Sequence, residues 1–292
     1  MKKVLITGAN SYIGTSFEKY IEEKYPDDFI IDTVDMTDEC WKEKTFSGYD
    51  CVFHVAGIAH SDSEKISDEK AKLYYKINTE LVADTAKKAK NDGVEQFIFM
   101  SSAIVYGASA PVGKIKIITE ETETAPENCY GDSKVQAEKA LSALSDDQFK
   151  VAIIRSPTVY GKNSKGNYPL LSRIAVKSPF FPYIENQRSM IYVENLCEFI
   201  RLVIKNDEQG FFWPQNREYS NTSELVKMIA CAHGKKIIMI KAFSFAIKFF
   251  SGFVKSINKA FGNLTYSKEL SYYSENYCLY SLEESIGKTE AL

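Results

Sequence analysis

Lys3-Val4-Leu5-Ile6-Thr7-Gly8-Ala9-Asn10-Ser11-Tyr12-Ile13-Gly14 stands near the start of a 292-residue chain and sets the reading of the rest. Val4-Leu5-Ile6 is a short, continuous apolar run, the pattern of a strand buried on both faces. A helical pattern runs from Ser11 to Lys24, so Gly8 lies between strand and helix and Gly14 in the first helical turn. Glycines there let the main chain turn tightly and approach a pyrophosphate. The open N–H groups and positive end of the helix meet its charge. An ordinary strand-to-helix turn can carry the same residues by chance, but placement after the first strand favours dinucleotide binding.

The alternation continues outward from this turn. Apolar runs at Phe29 to Val34, Cys51 to Val55, Gln96 to Met100 and Val151 to Arg155 read as strands. Lys70 to Lys90, with Leu73, Ile77, Leu81, Val82 and Ala86 at helical spacing, and Ser133 to Leu144 read as helices. Strand–helix alternation predicts an α/β fold with a doubly wound parallel sheet covered on both faces. After Arg155 the rhythm breaks into the loop residues Gly161 to Tyr168, and prolines punctuate the chain beyond them. We place a dinucleotide-binding domain at residues 1–160 and a smaller, mixed C-terminal substrate lobe at 161–292. Residues 190–206 are expected to pack back on the first domain.

Composition narrows the function. The chain sets 36 basic against 39 acidic side chains, for a net charge of −3, with 45% hydrophobic and 26% charged residues. That is ordinary for a globular protein, with no electrostatic footprint for nucleic acid. Six cysteines without a Cys-x-x-Cys pair, and three histidines, give a zinc site no support. The opening apolar run is too short for a signal peptide's core, so reduced thiols in a cytoplasm are expected. Ile237 to Phe261 is rich in Phe and Ile but interrupted by Lys241, Lys248, Lys255 and Lys259. A spanning helix tolerates such charges poorly. The stretch reads as an amphipathic helix, packed in the lobe or lying on a membrane surface. The charged run Ser61 to Lys72 reads as a solvated loop and helix start.

Three further constellations bear on chemistry. Asp35 stands past the second strand, about twenty residues beyond the glycines, where a carboxylate can bind an adenosine ribose and repel a 2′-phosphate. Asp32 and Asp38 leave that register open, and a loop cap would explain Asp35 equally. Tyr130 and Lys134 are one helical turn apart and share a face, where an ammonium can stabilise a phenolate. Ser101 and Ser102 close the fourth strand at the ligand-binding edge of a parallel sheet, although either could simply cap a loop.

Together, the Thr7-Gly8 turn, Ser101-Ser102-Ala103-Ile104-Val105-Tyr106-Gly107, Tyr130-x-x-x-Lys134 and Arg155-x-Pro157-x-Val159-Tyr160-Gly161 resemble the extended short-chain dehydrogenase/reductases. Within these, the chain is most similar to the NAD-dependent sugar-nucleotide epimerase/dehydratase family, over at least residues 1 to about 200, and to its UDP-sugar 4-epimerases. The resemblance implies a Rossmann domain holding NAD. It assigns cofactor contact to Gly8, Asn10, Ser11, Tyr12, Ile13, Gly14, Asp35, Ala56, Gly57, Tyr130 and Lys134. It also implies Ser102 as the catalytic hydroxyl, Tyr130 as general acid or base, and Lys134 on the nicotinamide ribose, lowering the tyrosine pKa. Asn78 matches the family's structural asparagine. Arg188, in Arg188-x-x-x-x-Val193-x-Asn195-Leu196, would grip a nucleotide diphosphate, a task suited to a guanidinium fork. A surface arginine without a ligand is the plainer reading.

Two departures from the family pattern stand out. Ser11 replaces the middle glycine, altering pyrophosphate approach or offering a hydroxyl to phosphate. Glu194-Asn195 replaces a usual pair of acids, with consequences expected for packing between the lobes. The resemblance implies hydride transfer at C4 of a UDP-linked sugar, as an epimerase. The alternative is an NAD(P)H-dependent 4-keto reductase. A 4,6-dehydratase is disfavoured because Ala103-Ile104 follow the serine where that branch has Asp-Glu. A non-catalytic dinucleotide sensor on the same fold remains the competing class. A homodimer is among the assemblies expected; no nucleic-acid partner and no integral membrane segment is.

Overall fold

The computed structural model describes residues 1–59, 67–242 and 255–291. In chain order the strands are β1 (Lys2–Thr7), β2 (Phe29–Val34), β3 (Cys51–His54), β4 (Gln96–Ser102), β5 (Ile117–Ile118) and β6 (Lys150–Ser156). They continue as β7 (Thr158–Tyr160), β8 (Phe180–Pro182), β9 (Met190–Tyr192), β10 (Gly210–Phe212), β11 (Ile238–Ile240) and β12 (Thr265–Tyr266). The main helices are α1 (Tyr12–Lys24), α2 (Asp68–Tyr75), α3 (Leu81–Asn91), α4 (Cys129–Ser142), α5 (Tyr168–Lys177), α6 (Val193–Lys205) and α7 (Thr222–Ala232). Short helices cover Lys255–Phe261 and Leu282–Glu290.

The chain divides into two compact units. Unit 1 comprises Met1–Ala108, Glu123–Ser156 and Phe199–Phe212; unit 2 takes Ser109–Thr122, Pro157–Glu198 and the chain from Trp213 onward. A single cut at residue 160 therefore does not describe the structure. Residues 109–122 leave the sheet unit early, and 199–212 return to it to supply the edge strand β10.

Unit 1 carries a six-stranded parallel sheet in the order β10-β6-β4-β3-β1-β2. The order reverses at β1, which pairs with β2 on one side and β3 on the other. That is the doubly wound topology, whose ligand crevice opens beyond the strand ends at the reversal. Val4, Leu5, Val52, Phe53, Phe97, Ile98, Ala152 and Ile154 are fully buried, because helices cover both faces. The apolar runs carry that signature.

The helix expected over Lys70 to Lys90 is interrupted by a π-helical turn, Lys76–Glu80, between α2 and α3. The extra residue in that turn shifts the helical phase so that Tyr74, Asn78 and Val82 all face inward. Of the charged run, Ser67 caps α2 and Asp68 begins it, while residues 60–66 lie outside the described residues. α4 starts at Cys129, ahead of the expected Ser133, because the Asn128 side chain accepts the Gly131 N–H at 2.8 Å.

Unit 2 has three two-stranded parallel pairs, β11–β8, β12–β5 and β7–β9. The stretch read as one amphipathic helix begins instead as β11, and residues 243–254 lie outside the described residues. Asn195 is fully buried, and its amide donates to the Tyr280 carbonyl at 3.0 Å while its oxygen accepts the Tyr280 N–H at 3.1 Å. An aspartate could not do both, so the departure from the family's acid pair serves a clamp inside unit 2. All six cysteines are free thiols, no metal-ligating cluster occurs among the described residues, and no described helix is long and apolar enough to cross a membrane.

Candidate active site

The glycine turn leaves β1 at the sheet's reversal point. Gly8 adopts φ +116°, and a Cβ there would lie 2.7 Å from the Ala56 nitrogen, so only glycine fits. The Gly8 N–H donates to the Val34 carbonyl at 3.0 Å, which brings the end of β2, and Asp35 after it, beside the turn. Asn10 is also left-handed, at φ 62°. Ser11 is the N-cap of α1, and its hydroxyl accepts the Gly14 N–H at 3.2 Å. The replaced glycine thus has a local task, closing one first-turn amide that would otherwise be open. Tyr12 and Ile13 form the first helical positions. A Cβ on Gly14 would meet the Ser11 Oγ at 2.5 Å, Val55 at 3.0 Å and Ile6 at 3.1 Å, so α1 presses directly on the sheet there.

Asp35 is exposed, and its carboxylate accepts the Thr37 N–H at 2.9 Å, which holds its pKa below the usual value. The neighbouring aspartates are engaged elsewhere. Asp32 accepts the Tyr49 hydroxyl at 2.7 Å, and Asp38 caps a short 3₁₀ turn. Ala56 donates its N–H to the Thr7 carbonyl at 2.9 Å. A Cβ on Gly57 would sit 3.1 Å from the Asn78 Oδ1 and 3.6 Å from the Lys134 Nζ, placing Gly57 against the second half of the site. Asn78 ties the loop after β3 to α4: it exchanges both hydrogen bonds with the Ile58 main chain at 3.0 Å and donates to the Ser133 Oγ at 3.3 Å.

That second half is a three-step ladder between β4 and α4. The Ser102 hydroxyl faces that of Tyr130, and the Lys134 ammonium donates to the Met100 carbonyl at 2.9 Å. The Ser101 hydroxyl donates to Glu138 at 2.5 Å. Three successive strand residues thus meet Tyr130, Lys134 and Glu138, spaced four apart on one face of the helix. Glu138 in turn receives Arg155 of β6 through Nε at 3.2 Å and Nη2 at 2.8 Å, while Arg155 Nη1 donates to the Tyr106 hydroxyl at 2.7 Å. Glu138 is absent from the residues that sequence reasoning singles out, although its place one turn beyond Lys134 was the available signal.

Burial governs the protonation of this ladder. It pushes the Tyr130 phenol up to about 12, with the Ser102 hydrogen bond opposing and the nearby Tyr74 ring adding to the rise. The lowering expected from Lys134 is not what prevails: the ammonium is turned onto the Met100 carbonyl and the Phe99 ring, 4.4 Å from its centroid. Lys134 itself is brought down to about 8 by burial, against the pull of Glu138. His54 of β3, bonded to the Thr7 hydroxyl at 2.7 Å, is brought down to about 3 by burial and by the Lys134 charge. It is neutral and adds no positive charge beside Lys134.

Arg188 lies in unit 2. Its guanidinium donates to the Lys259 carbonyl and its main chain pairs with Ser220, so its charge is committed to the local structure. Burial lowers its pKa.

Known proteins share this arrangement of sequence and fold. The model of the NAD dependent epimerase/dehydratase family matches residues 4–212. A UDP-glucose 4-epimerase of Vibrio cholerae is 32% identical over 255 residues, covering 80% of this chain and 76% of that protein. An N-acetyl-α-D-glucosaminyl-diphospho-ditrans,octacis-undecaprenol 4-epimerase of Escherichia coli O157:H7 is 29% identical, covering 80% and 73%. Among solved structures, a dTDP-4-dehydrorhamnose reductase of Clostridium acetobutylicum superposes with a TM-score of 0.73 over 98% of both chains at 19% identity, a likeness of fold.

Proposed function

The chain belongs to the NAD dependent epimerase/dehydratase family, and from that premise we propose that it is a sugar-nucleotide 4-epimerase acting on a UDP-linked sugar. The observation that carries this reading is the apposition of the Ser102 and Tyr130 hydroxyls at the open end of β4, with Lys134 one turn behind. It offers a hydroxyl pair to a sugar oxygen at the sheet edge where this topology binds ligands.

The residues around the glycine turn fit a dinucleotide. The tight turn at Gly8, the N-terminus of α1 and the acidic Asp35 beside the turn suit pyrophosphate and an unphosphorylated ribose in turn. We assign Gly8, Asn10, Ser11, Tyr12, Ile13 and Gly14 to the pyrophosphate and Asp35 to the adenosine ribose, with Ala56 and Gly57 lining the cofactor. Bound NAD supplies the hydride acceptor and donor, and its oxidised ring adds positive charge near the phenol. Tyr130 moves the proton of the C4 hydroxyl through its own oxygen, and Ser102 aligns that hydroxyl. A phenol at about 12 is protonated at neutral pH, ready to return a proton to a C4 oxygen. Lys134 is assigned to the nicotinamide ribose. Arg188 is proposed for the substrate diphosphate, which requires it to leave the Lys259 carbonyl.

The test is incubation with UDP-glucose, UDP-galactose and their N-acetyl forms, and with a sugar on undecaprenyl diphosphate, without added cofactor. NMR should show the 4-epimer. Tyr130→Phe should lower conversion by about 100-fold or more while NAD titration is unchanged. Absence of conversion, with stoichiometric NAD(P)H consumption on a 4-keto sugar nucleotide, makes the protein a reductase.

A further inference from the structure

Charge is unevenly spread along this near-neutral chain. Residues 225–268 hold eight lysines and no acid, and residues 162–184 hold Lys162, Lys165, Arg173 and Lys177 and no acid. These stretches take 12 of the 36 cations and none of the 39 acids, although Lys227 pairs with Glu224 just outside them at 3.7 Å. In unit 2 the two stretches meet: β8 and β11 pair in parallel with Phe180 opposite Ile238, and α5 packs on α7.

Register partners point to the same face of a sheet. Phe180 and Ile238 are 51% and 59% exposed, whereas Phe181, the next residue, is buried. An apolar pair therefore stands on the outside of this small sheet. On α5, Leu170, Arg173 and Lys177 recur at helical spacing and are exposed as well. Lys177, Lys235 and Lys236 line a shallow 290 Å³ cavity between the end of α5 and the turn before β11. The Lys235 ammonium donates to the Val176 carbonyl at 2.7 Å, joining that turn to α5 in one surface. The Glu290 carboxylate, which reaches α5, is held at 2.8 Å by both Ser172 and His233 and is 8% exposed, so its charge is spent internally.

We propose that this face docks on an anionic phospholipid bilayer, with lysines on the headgroup phosphates and Phe180 and Ile238 in the headgroup boundary. Cationic charge alone would suit any polyanion. Exposed aliphatic and aromatic side chains among the lysines gain nothing from a nucleic-acid backbone, whereas a bilayer rewards both kinds of contact. The site chemistry above is not involved, and the inference holds for either reading of the reaction.

Flotation of the full chain with vesicles tests it. Vesicles of phosphatidylcholine with about one third phosphatidylglycerol should carry the protein at ~0.1 M salt. Pure phosphatidylcholine vesicles should not, and ~0.5 M salt should release it. Lys177→Glu with Lys236→Glu should weaken binding about tenfold or more, and Phe180→Ser with Ile238→Ser should weaken it without changing its salt dependence. Both double variants change exposed residues, and circular dichroism verifies their fold. Failure of the wild-type chain to float, or binding by both variants equal to that of the wild type, overturns the proposal. Retention on RNA without vesicle binding also overturns it, in favour of a nucleic-acid surface.

Discussion

Glu138 does more with one carboxylate than any other side chain of the candidate site. It takes a hydrogen bond from Ser101, a two-point ion pair from Arg155, and offers negative charge to Lys134 one turn away. Glu138→Gln should act in two measurable ways. Arg155, with 12% of its side chain exposed, loses its counter-ion, and urea unfolding should show a loss on the order of 3 kcal/mol. The Lys134 ammonium loses a stabilising anion, so its pKa falls below about 8 and the alkaline limb of turnover moves to lower pH. Lys134→Met probes the opposite sign. Lys134 holds its proton less tightly in the fold, at about 8, than at its ordinary 10.5. The buried amine therefore costs stability fully below pH 8, and the cost fades as pH rises toward 10.5. The variant should lose turnover yet gain on the order of 1–3 kcal/mol at about pH 7, an advantage that shrinks in melts near pH 10.

At the level of elements, the contact of α1 with the sheet is the tightest constraint on the cofactor side. Gly14→Ala would drive a methyl into the Ser11 hydroxyl, Val55 and Ile6, forcing α1 outward. We expect a loss of about 1–3 kcal/mol and weaker NAD binding. Ser11→Ala alone should cost about 1 kcal/mol, the worth of an N-cap. In the double variant the costs should fall short of their sum, because the first change removes the closest contact of the second. Additive losses in a double-mutant cycle would place the strain at Ile6 and Val55. The ladder from β4 to α4 is likewise a property of two elements. Its contacts, Ser102 with Tyr130, Met100 with Lys134 and Ser101 with Glu138, hold only while the ends of strand and helix stay together.

For the molecule as a whole, the interleaving of the chain matters most. Unit 1 needs Phe199–Phe212, since β10 covers the open edge of β6 and Gln96 donates to the Val203 and Glu208 carbonyls at 3.0 and 2.9 Å. A fragment ending at residue 160 should therefore fail to unfold cooperatively and should aggregate through the bared edge of β6. Addition of residues 161–212 restores the missing strand and should restore a sigmoidal urea transition.

Local pattern was enough for five of the six sheet strands of unit 1 but not for the short edge strand β10; a strand buried on both faces has to be apolar throughout, and Val4 to Ile6 or Phe97 to Phe99 admit few other readings. It was enough, too, for the glycine turn and for Tyr130 and Lys134 sharing a face, since both arise from main-chain geometry over a few residues. Helix and strand competed in Ile237 to Phe261, where a short apolar run fits either; pairing with β8 decided for strand at Ile238. The π turn at Asn78, the task of Ser11, the clamp of Asn195 on Tyr280 and the place of Glu138 beside Arg155 belong to the fold alone. Each depends on what faces a side chain from a distant part of the chain, or on how a helix is phased against a sheet. Neither hydrophobic period nor motif spacing encodes that.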